Sequence, residues 1–190
     1  MKIKILGIII YALCFQFFSC HNTQEQIKKD SAEIISILEN KDFNKIADYI
    51  DKDSGLYVAE KITAPIKYYN HLSFDDVVNA NGSDNKLPFY IDDDPSERWN
   101  TTIYKFLDAT FSVSKSRNKQ VSYNKHISSI DWGLVEHSIS EIFPDSVFVE
   151  YYYEPSGLYG DMDWVSIYLI FKEVDNDIVL IGIACNYMGI

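Results

Sequence analysis

Two carboxylates lie close together in the last third of the chain, with an aromatic residue on either side of the pair. Asp161 and Asp163 fall between Tyr159 and Trp164, immediately before a predicted strand. Such a group can form the polar end of an apolar pocket, and a carboxyl buried there can act as a general base. The alternative is a solvated loop in which Asp163 bonds only to local backbone. The sequence therefore predicts a candidate pocket made of Tyr159, Asp161, Asp163 and Trp164.

Other motifs that carry chemistry are weak or missing. The chain has no glycine-rich phosphate loop, no zinc-like spacing of Cys or His, and no nucleophile elbow. The acidic segment Asp92–Glu97 suits a helix start better than a metal site, because Asp94 can cap the helix and Pro95 can occupy its first position. We expect neither a metal nor a cofactor. The four histidines, scattered in sequence, are His21, His71, His126 and His137.

Cys20 is the residue with the most specific sequence context. Lys2 and Lys4 precede an apolar run, Ile3 to Phe18, and small Ser19 stands just before the cysteine. This layout is typical of a bacterial lipoprotein signal, in which the cysteine is acylated on sulfur and becomes the first residue of the mature chain. A plain secretory signal and an uncleaved anchor are the alternatives, although the run is shorter than the roughly 20 residues of a spanning helix.

These observations predict three parts of the chain. Residues 1–19 form the signal peptide, residues 20–26 form a polar tether that begins at lipidated Cys20, and residues 27–190 form a single domain. Loss of residues 1–19 removes two lysines and no acids, so the net charge changes from −11 to −13. An acidic surface repels phosphate backbones, which excludes nucleic acid as a partner. Because it also repels anionic headgroups, the N-terminal lipid must attach the protein to the membrane. Cys185 is then the one free thiol, and its apolar surroundings predict a buried core residue.

Apolar residues at helical spacing predict helices in the first 110 residues. Ser73 and Asp76 match a capping box at the start of one of them. Asp51 to Gly55 is a turn rather than a calcium loop, because the later ligand positions are missing. The apolar stripes are Ile27, Ile34, Ile35 and Leu38, then Phe43, Ile46, Ala47 and Ile50, then Trp99, Ile103, Phe106, Leu107 and Thr110.

The period of the pattern changes to two in the C-terminal half, which predicts strands. In the third strand Val165, Ile167 and Leu169 face one way, and in the fourth Val179 shares a face with Ile183. Asp175–Asp177 joins these two strands as a tight hairpin. Helices followed by an antiparallel sheet indicate an α+β fold with N-terminal helices packed on a sheet formed mainly by the C-terminal half. The predicted strands are Val121–Ile130, Ser146–Tyr153, Trp164–Lys172 and Ile178–Tyr187.

Several stretches resemble a group of uncharacterised lipoproteins of Bacteroidota-type bacteria. They include Asp53–Val58, Ile142–Tyr151, Met162–Ile167 and Leu180–Ile183, whereas Asn186–Ile190 departs from the group's Trp-containing ending. The fold of this group resembles the cone fold that is called nuclear-transport-factor-like, ketosteroid-isomerase-like or cystatin-like. The resemblance implies a curved sheet that the helices close over a cavity, and it transfers no catalytic residue. Separately, His21 and Asn22 after the lipidated cysteine give no inner-membrane retention signal, which predicts an outer-membrane location on a side that the sequence does not specify.

Three functional hypotheses follow for the folded domain. The first is a non-enzymatic module that binds a small apolar ligand or a protein partner. The second is an enzyme that uses a carboxylate in the cone cavity, and the third is an immunity-type protective lipoprotein with an acidic surface. A filled cone with an acidic patch would favour a protein partner. Two short stretches fit the O-glycosylation pattern of these bacteria, and their serines are Ser31 and Ser146.

Overall fold

The structure, a computed structural model, describes residues 23–91, 98–111, 117–127, 139, 141–158 and 163–187. It confirms the predicted α+β class with a curved sheet. The described helices are α1 (residues 23–40), α2 (Phe74–Val78) and α3 (Ile103–Phe111), with 3-10 helices at Phe43–Tyr49 and Ile66–Tyr68 and further helical residues at Ile139, Glu141 and Ile142. The strands are β1 (Leu56–Ala59), β2 (Asn70–Leu72), β3 (Lys86–Tyr90), β4 (Arg98–Thr102), β5 (Lys119–Tyr123), β6 (Val147–Tyr153), β7 (Val165–Val174) and β8 (Asp177–Tyr187).

Six strands form the main sheet in the order β2-β1-β8-β7-β6-β5. Its neighbours are antiparallel except for β1 and β8, which run parallel with Val58 opposite Ile183. The sheet is therefore mixed, and the expectation of a purely antiparallel sheet was wrong at this one pairing. The two strands that form it lie far apart in the chain, so no local pattern reveals their direction. Strands β3 and β4 form a separate two-stranded ribbon.

Helix α1 packs its apolar stripe on the first face of the sheet. Ile27, Ile34, Ile35 and Leu38 are buried in one core with Tyr151 and other residues of the central strands. The helix already includes residues 23–26, which the sequence analysis assigns to the tether. Ser31 lies in the middle of α1 and is buried, with its Oγ 3.0 Å from the hydroxyl of Tyr151. The folded chain therefore leaves no room for a glycan on Ser31.

The turn after the first 3-10 helix forms as predicted. The Asp51 carboxylate accepts hydrogen bonds from the backbone N–H groups of Asp53 and Ser54, at 3.1 and 2.8 Å. Gly55 ends the turn with φ +64°, and a Cβ there would collide with the carbonyl oxygen of Leu72. The capping box on α2 is also confirmed, because Ser73 and Asp76 each bond to the other's backbone N–H.

The helix predicted from Trp99 onward begins only at Ile103. Arg98–Thr102 is strand β4, which pairs with β3, so Trp99 lies opposite Phe89 and keeps 37% of its surface exposed. Ile103, Phe106 and Leu107 are buried on α3 as expected. Pairing with β3 overrides the helical spacing of the residues before Ile103. Residues 92–97, where the capping was predicted, lie outside the described part of the chain.

The hairpin between β7 and β8 is tight, as predicted. Asp175 and Asn176 both have positive φ, 52° and 72°, which is the backbone of a two-residue type I′ turn. The face assignment on β8 was wrong before Gly182. A bulge lies between the pairs Ile170–Gly182 and Phe171–Leu180, so Leu180, rather than Val179, shares the first face with Ile183. The additional residue of a bulge moves every side chain beyond it to the opposite face of the sheet.

Candidate functional site

The second face of the sheet, opposite α1, combines a small apolar core with a polar cluster. The apolar part includes Phe148, Ile170 and Ala184, which pack against Ile62 and Phe143 from the connecting segments. The polar part lies on the three central strands β6, β7 and β8. Rigid strands hold these side chains, so we take the cluster as the candidate site. We call it the second-face cluster, and its members are Glu150, Ser166, Tyr168 and Asn186, with Tyr152 and Trp164 beside them.

Glu150 is the most unusual residue of this cluster, because its side chain is a fully buried carboxylate with 0% exposure. Ser166 donates a hydrogen bond to Oε1 at 2.6 Å, and the hydroxyl of Tyr168 donates to the same atom at 3.1 Å. The backbone N–H of Ile127 donates to Oε2 at 2.5 Å. Three donors thus compensate for the loss of water around the carboxylate, as a buried charge requires.

Asn186 lies in the same cluster and has a different environment. It pairs with Ser166 across β7 and β8, and its side chain is 5% exposed. Its Nδ2 is buried and has no hydrogen-bond partner among the described residues. A buried amide group without an acceptor loses free energy relative to water, typically about 1–3 kcal/mol. The cluster therefore combines a carboxylate surrounded by donors with a nearby donor that lacks an acceptor.

His126 closes one side of the second face. The strand predicted over Val121–Ile130 ends at Tyr123, where Asn124 adopts φ +47° and its Oδ1 accepts from the N–H of Phe148 at 2.8 Å. His126 therefore leaves the strand, and its ring stacks on Phe148 with centroids 4.7 Å apart. A strand over Val121–Ile130 would place His126 on an exposed face beside polar Ser122 and Asn124, and this expectation is wrong, because the strand ends before His126 and its half-buried ring packs on Phe148.

The predicted pocket residues divide into two groups. Tyr159 and Asp161, like Cys20, lie outside the described residues, whereas Asp163 and Trp164 are described. Trp164 is buried on the second face, with its ring 5.9 Å from that of Tyr152. Trp164 thus belongs to the second-face cluster, whereas Asp163 belongs to a neighbouring turn.

Asp163 holds that turn through local hydrogen bonds. Its Oδ1 accepts from the backbone N–H of Ser156 at 2.9 Å, and its Oδ2 lies 3.8 Å from the guanidinium of Arg117. Arg117 also donates to the backbone carbonyls of Asp163 and Glu154. The hydrogen bonds from Ser156, with the charge of Arg117, lower the pKa of the Asp163 carboxyl below its usual range. A general base needs the opposite shift, so the local-bonding alternative describes Asp163 better.

The space between α1 and the first face is filled by side chains. Phe43, Phe106, Tyr153 and Phe171 are all buried in this core. Cys185 is buried there as predicted, and its Sγ donates to the carbonyl of Thr110 at 3.2 Å. Burial raises the pKa of this thiol, which keeps it in the unreactive protonated form. The described side chains between the helices and the first face therefore form one hydrophobic core.

The surface carries an open groove of about 900 Å³ beside the start of α1 and the β7–β8 hairpin. Among the described residues, no three His, Cys, Asp or Glu side chains are grouped as metal ligands. No described helix is long and apolar enough to cross a membrane. Four acids and one lysine are among the residues that line the groove, namely Glu25, Asp30, Asp48, Asp177 and Lys29.

Sequence reasoning missed Glu150 and Asn186, although one signal was available. In Val147–Tyr153 a single carboxylate interrupts a strand that is otherwise apolar or aromatic. A charge at a position facing inward on a central strand requires partners, so such a residue deserves the same attention as a motif. Asn186 carries no comparable signal, because a polar residue near the end of a strand is common.

Comparison of the chain with protein-family models, with curated proteins and with solved structures finds no match. The resemblance to lipoproteins with a cone fold therefore stays a prediction.

Proposed function

We propose that this chain is a lipid-anchored protein of the bacterial cell envelope whose folded domain is a non-enzymatic binding module. The leader that ends at Cys20 supports the anchoring part of the proposal. The proposed destination of the acylated chain is the outer membrane. Two or three acyl chains on one cysteine hold a protein stably, because each buried methylene contributes about 0.8 kcal/mol.

One observation supports binding rather than catalysis: donors already surround both described candidate carboxylates. Asp163 is bonded to Ser156 and lies beside Arg117, and Glu150 accepts from Ser166, Tyr168 and the N–H of Ile127. A general base must offer a lone pair to the substrate proton within hydrogen-bond reach. Carboxylates that already accept hydrogen bonds from the protein stabilise the fold and the shape of the surface around them instead.

A basic protein partner is a second candidate for the occupant, and the acidic groove favours it. Four of the groove residues are acids against one lysine, in a mature chain of net charge −13. Complementary charge accelerates association with a basic partner and excludes acidic ones. This arrangement fits an immunity-type protective role for a protein held at the envelope.

The anchoring proposal is tested by the substitution Cys20→Ser in the native host. Without the thiol, acylation and processing at this site should stop, and the protein should leave the detergent phase or keep its leader. Intact mass and detergent partition measure both effects, with Cys14→Ser, inside the leader, as the matched control that should process normally. A Cys20→Ser variant with the wild-type mature mass in the detergent phase would show that the lipoprotein proposal is wrong.

The binding proposal is tested by native mass spectrometry of the mature protein purified from its own host in mild detergent. A bound small molecule or protein of defined mass is the expected result. The binding proposal would be wrong if repeated preparations carried neither a small molecule nor a protein. If the same preparations also turned over an added substrate, the enzyme hypothesis would replace it.

A further inference from the structure

We propose that the second-face cluster is a binding site for a small neutral molecule that has a planar ring and a carbonyl oxygen. The proposal rests on the binding role proposed above and specifies the site and the chemical class of its occupant. Its starting point is the Nδ2 group of Asn186, a buried donor without a hydrogen-bond partner. The contrast with Asn70, the other described buried asparagine of the sheet, shows what a satisfied side chain looks like in this protein.

Asn70 is 8% exposed and uses both ends of its amide. Its Nδ2 donates to the carbonyl of Tyr90 at 3.2 Å, and its Oδ1 accepts from the N–H of Tyr90 at 2.8 Å. These bonds join the edge strand β2 to the ribbon strand β3. Asn186 is buried to a similar degree on a central strand and its Nδ2 has no acceptor. An acceptor supplied by a ligand would complete its hydrogen bonding.

The neighbours of Asn186 define the chemistry of that acceptor. Ser166, the cross-strand partner of Asn186, donates to Glu150, so a carboxylate lies one side chain away from the amide. An anionic ligand would be repelled at this distance in a buried site. A cation is not required, because three donors already surround Glu150. The matching group is therefore a neutral acceptor, of which a carbonyl oxygen is the simplest.

Two aromatic side chains next to Ser166 on the same face define the shape of the ligand. Tyr152 is the other cross-strand neighbour of Ser166, and its ring lies 5.9 Å from Trp164 at an angle of 34°. Aromatic rings bind planar groups by stacking and edge contacts, and binding pockets combine such walls with few polar groups. Trp164 is buried while Tyr152 is half-buried, so the cluster meets solvent on the Tyr152 side.

The test uses benzamide as the neutral probe and benzoate as its charged counterpart, added to the processed full-length protein in detergent. Calorimetry measures affinity, and NMR follows the side-chain amide signal of Asn186. Benzamide should bind and shift this signal, and benzoate should bind at least about tenfold more weakly because of Glu150. Equal affinity for the two probes, no binding of benzamide, or binding that leaves the Asn186 signal unchanged would each overturn the proposal.

The variants Asn186→Leu and Asn70→Leu separate a binding role from a structural one. Leucine shares the branching of asparagine, is larger and has no polar group, so Asn186→Leu should lower the melting temperature less than Asn70→Leu, which also loses two hydrogen bonds, while benzamide affinity falls about tenfold or more. Asn70→Leu should lower the melting temperature and leave the affinity unchanged. If Asn186→Leu lowers the melting temperature as much as Asn70→Leu does, an ordered water satisfies the amide and the site proposal is wrong.

Failure of this proposal is distinguishable from failure of the binding role itself. Native mass spectrometry of wild type and Asn186→Leu, both purified from the host, provides the comparison. A small molecule bound to wild type and absent from the variant supports the site. A ligand or partner retained equally by both keeps the binding role and overturns the site on the second face.

Discussion

At the scale of single residues, the structure separates two carboxylates that the sequence does not distinguish. Asp163 lies in a turn near solvent with Ser156 and Arg117, and Glu150 is enclosed within the sheet among hydroxyl and backbone donors. Both arrangements satisfy the charge with fixed donors. The chemistry of the chain therefore lies less in reactive groups than in how buried polar groups are paired.

The lowered pKa of Asp163 predicts a specific dependence of stability on pH. Because the folded-state pKa lies below the unfolded value of about 3.9, ionised Asp163 stabilises the fold above that pH, and the contribution is lost as pH falls through the folded pKa. The difference in unfolding free energy between wild type and Asp163→Asn should thus be constant near neutral pH and disappear in acid. Denaturant melts from pH 2 to 7 measure it.

A titration of the carboxylate carbon by NMR provides the direct check for Asp163. The ordinary value of about 3.9 for an aspartate side chain serves as the reference. A pKa of Asp163 above that reference would indicate desolvation instead of hydrogen bonding. That result would restore Asp163 as a candidate base.

At the scale of elements, local sequence patterns correctly predicted the features that depend on residues close together in the chain. The stripe of α1, the capping box on α2 and the alternation of β7 are all as expected. Each depends on contacts within one element, or on a single buried face, so spacing alone reveals them. The type I′ turn at Asp175 and Asn176 belongs to the same group, because these residue types tolerate positive φ.

These errors share one physical cause, which is pairing between separate strands. Trp99 matches a helical stripe, yet β3 captures Arg98–Thr102 as a strand. The bulge between β7 and β8 depends on how two strands fit together, and the parallel β1–β8 pair joins segments more than a hundred residues apart. The second-face cluster was missed for the same reason, since its polar groups come from three strands.

The corrected boundary of α3 predicts a contrast between two aromatic residues. Phe106 is fully buried and stacks on Phe89 with ring centroids 4.2 Å apart, whereas Trp99 is partly exposed on β4. Phe106→Ala should lower the unfolding free energy by about 3–5 kcal/mol, and Trp99→Ala by about 1 kcal/mol or less, as is usual for exposed positions. Denaturant melts of both variants measure the difference. Equal losses would place Trp99 in the core and contradict the assignment of β4 as a strand.

At the scale of the whole molecule, charge is the dominant surface property. The chain carries 28 acidic and 17 basic side chains, and several of the bases already lie in ion pairs, such as Lys41 with Asp108 at 2.7 Å and Lys119 with Glu39 at 2.8 Å. The remaining acids repel one another in the compact state. Surface ion pairs of this kind contribute only about 0–1 kcal/mol each.

This imbalance predicts that salt stabilises the protein at neutral pH. Raising sodium chloride from about 10 mM to about 100 mM shortens the screening length from roughly 30 to 10 Å, which weakens the net repulsion. The melting temperature at pH 7 should therefore increase over this range. Near pH 4.5, where roughly a quarter of the carboxyls are protonated and the net charge is close to zero, the same change should have little effect. A decrease at pH 7 would mean that the ion pairs outweigh the repulsion.

The position of β8 has a consequence for the order in which the chain can fold. This strand comes last among those described, yet it lies between β1 and β7 and joins the two halves of the main sheet. Until Asp177–Tyr187 has left the ribosome, and then the secretion channel if the chain is exported, β1 and β2 have no partner in the rest of the sheet. The main sheet therefore closes in a late step, when β8 inserts between β1 and β7.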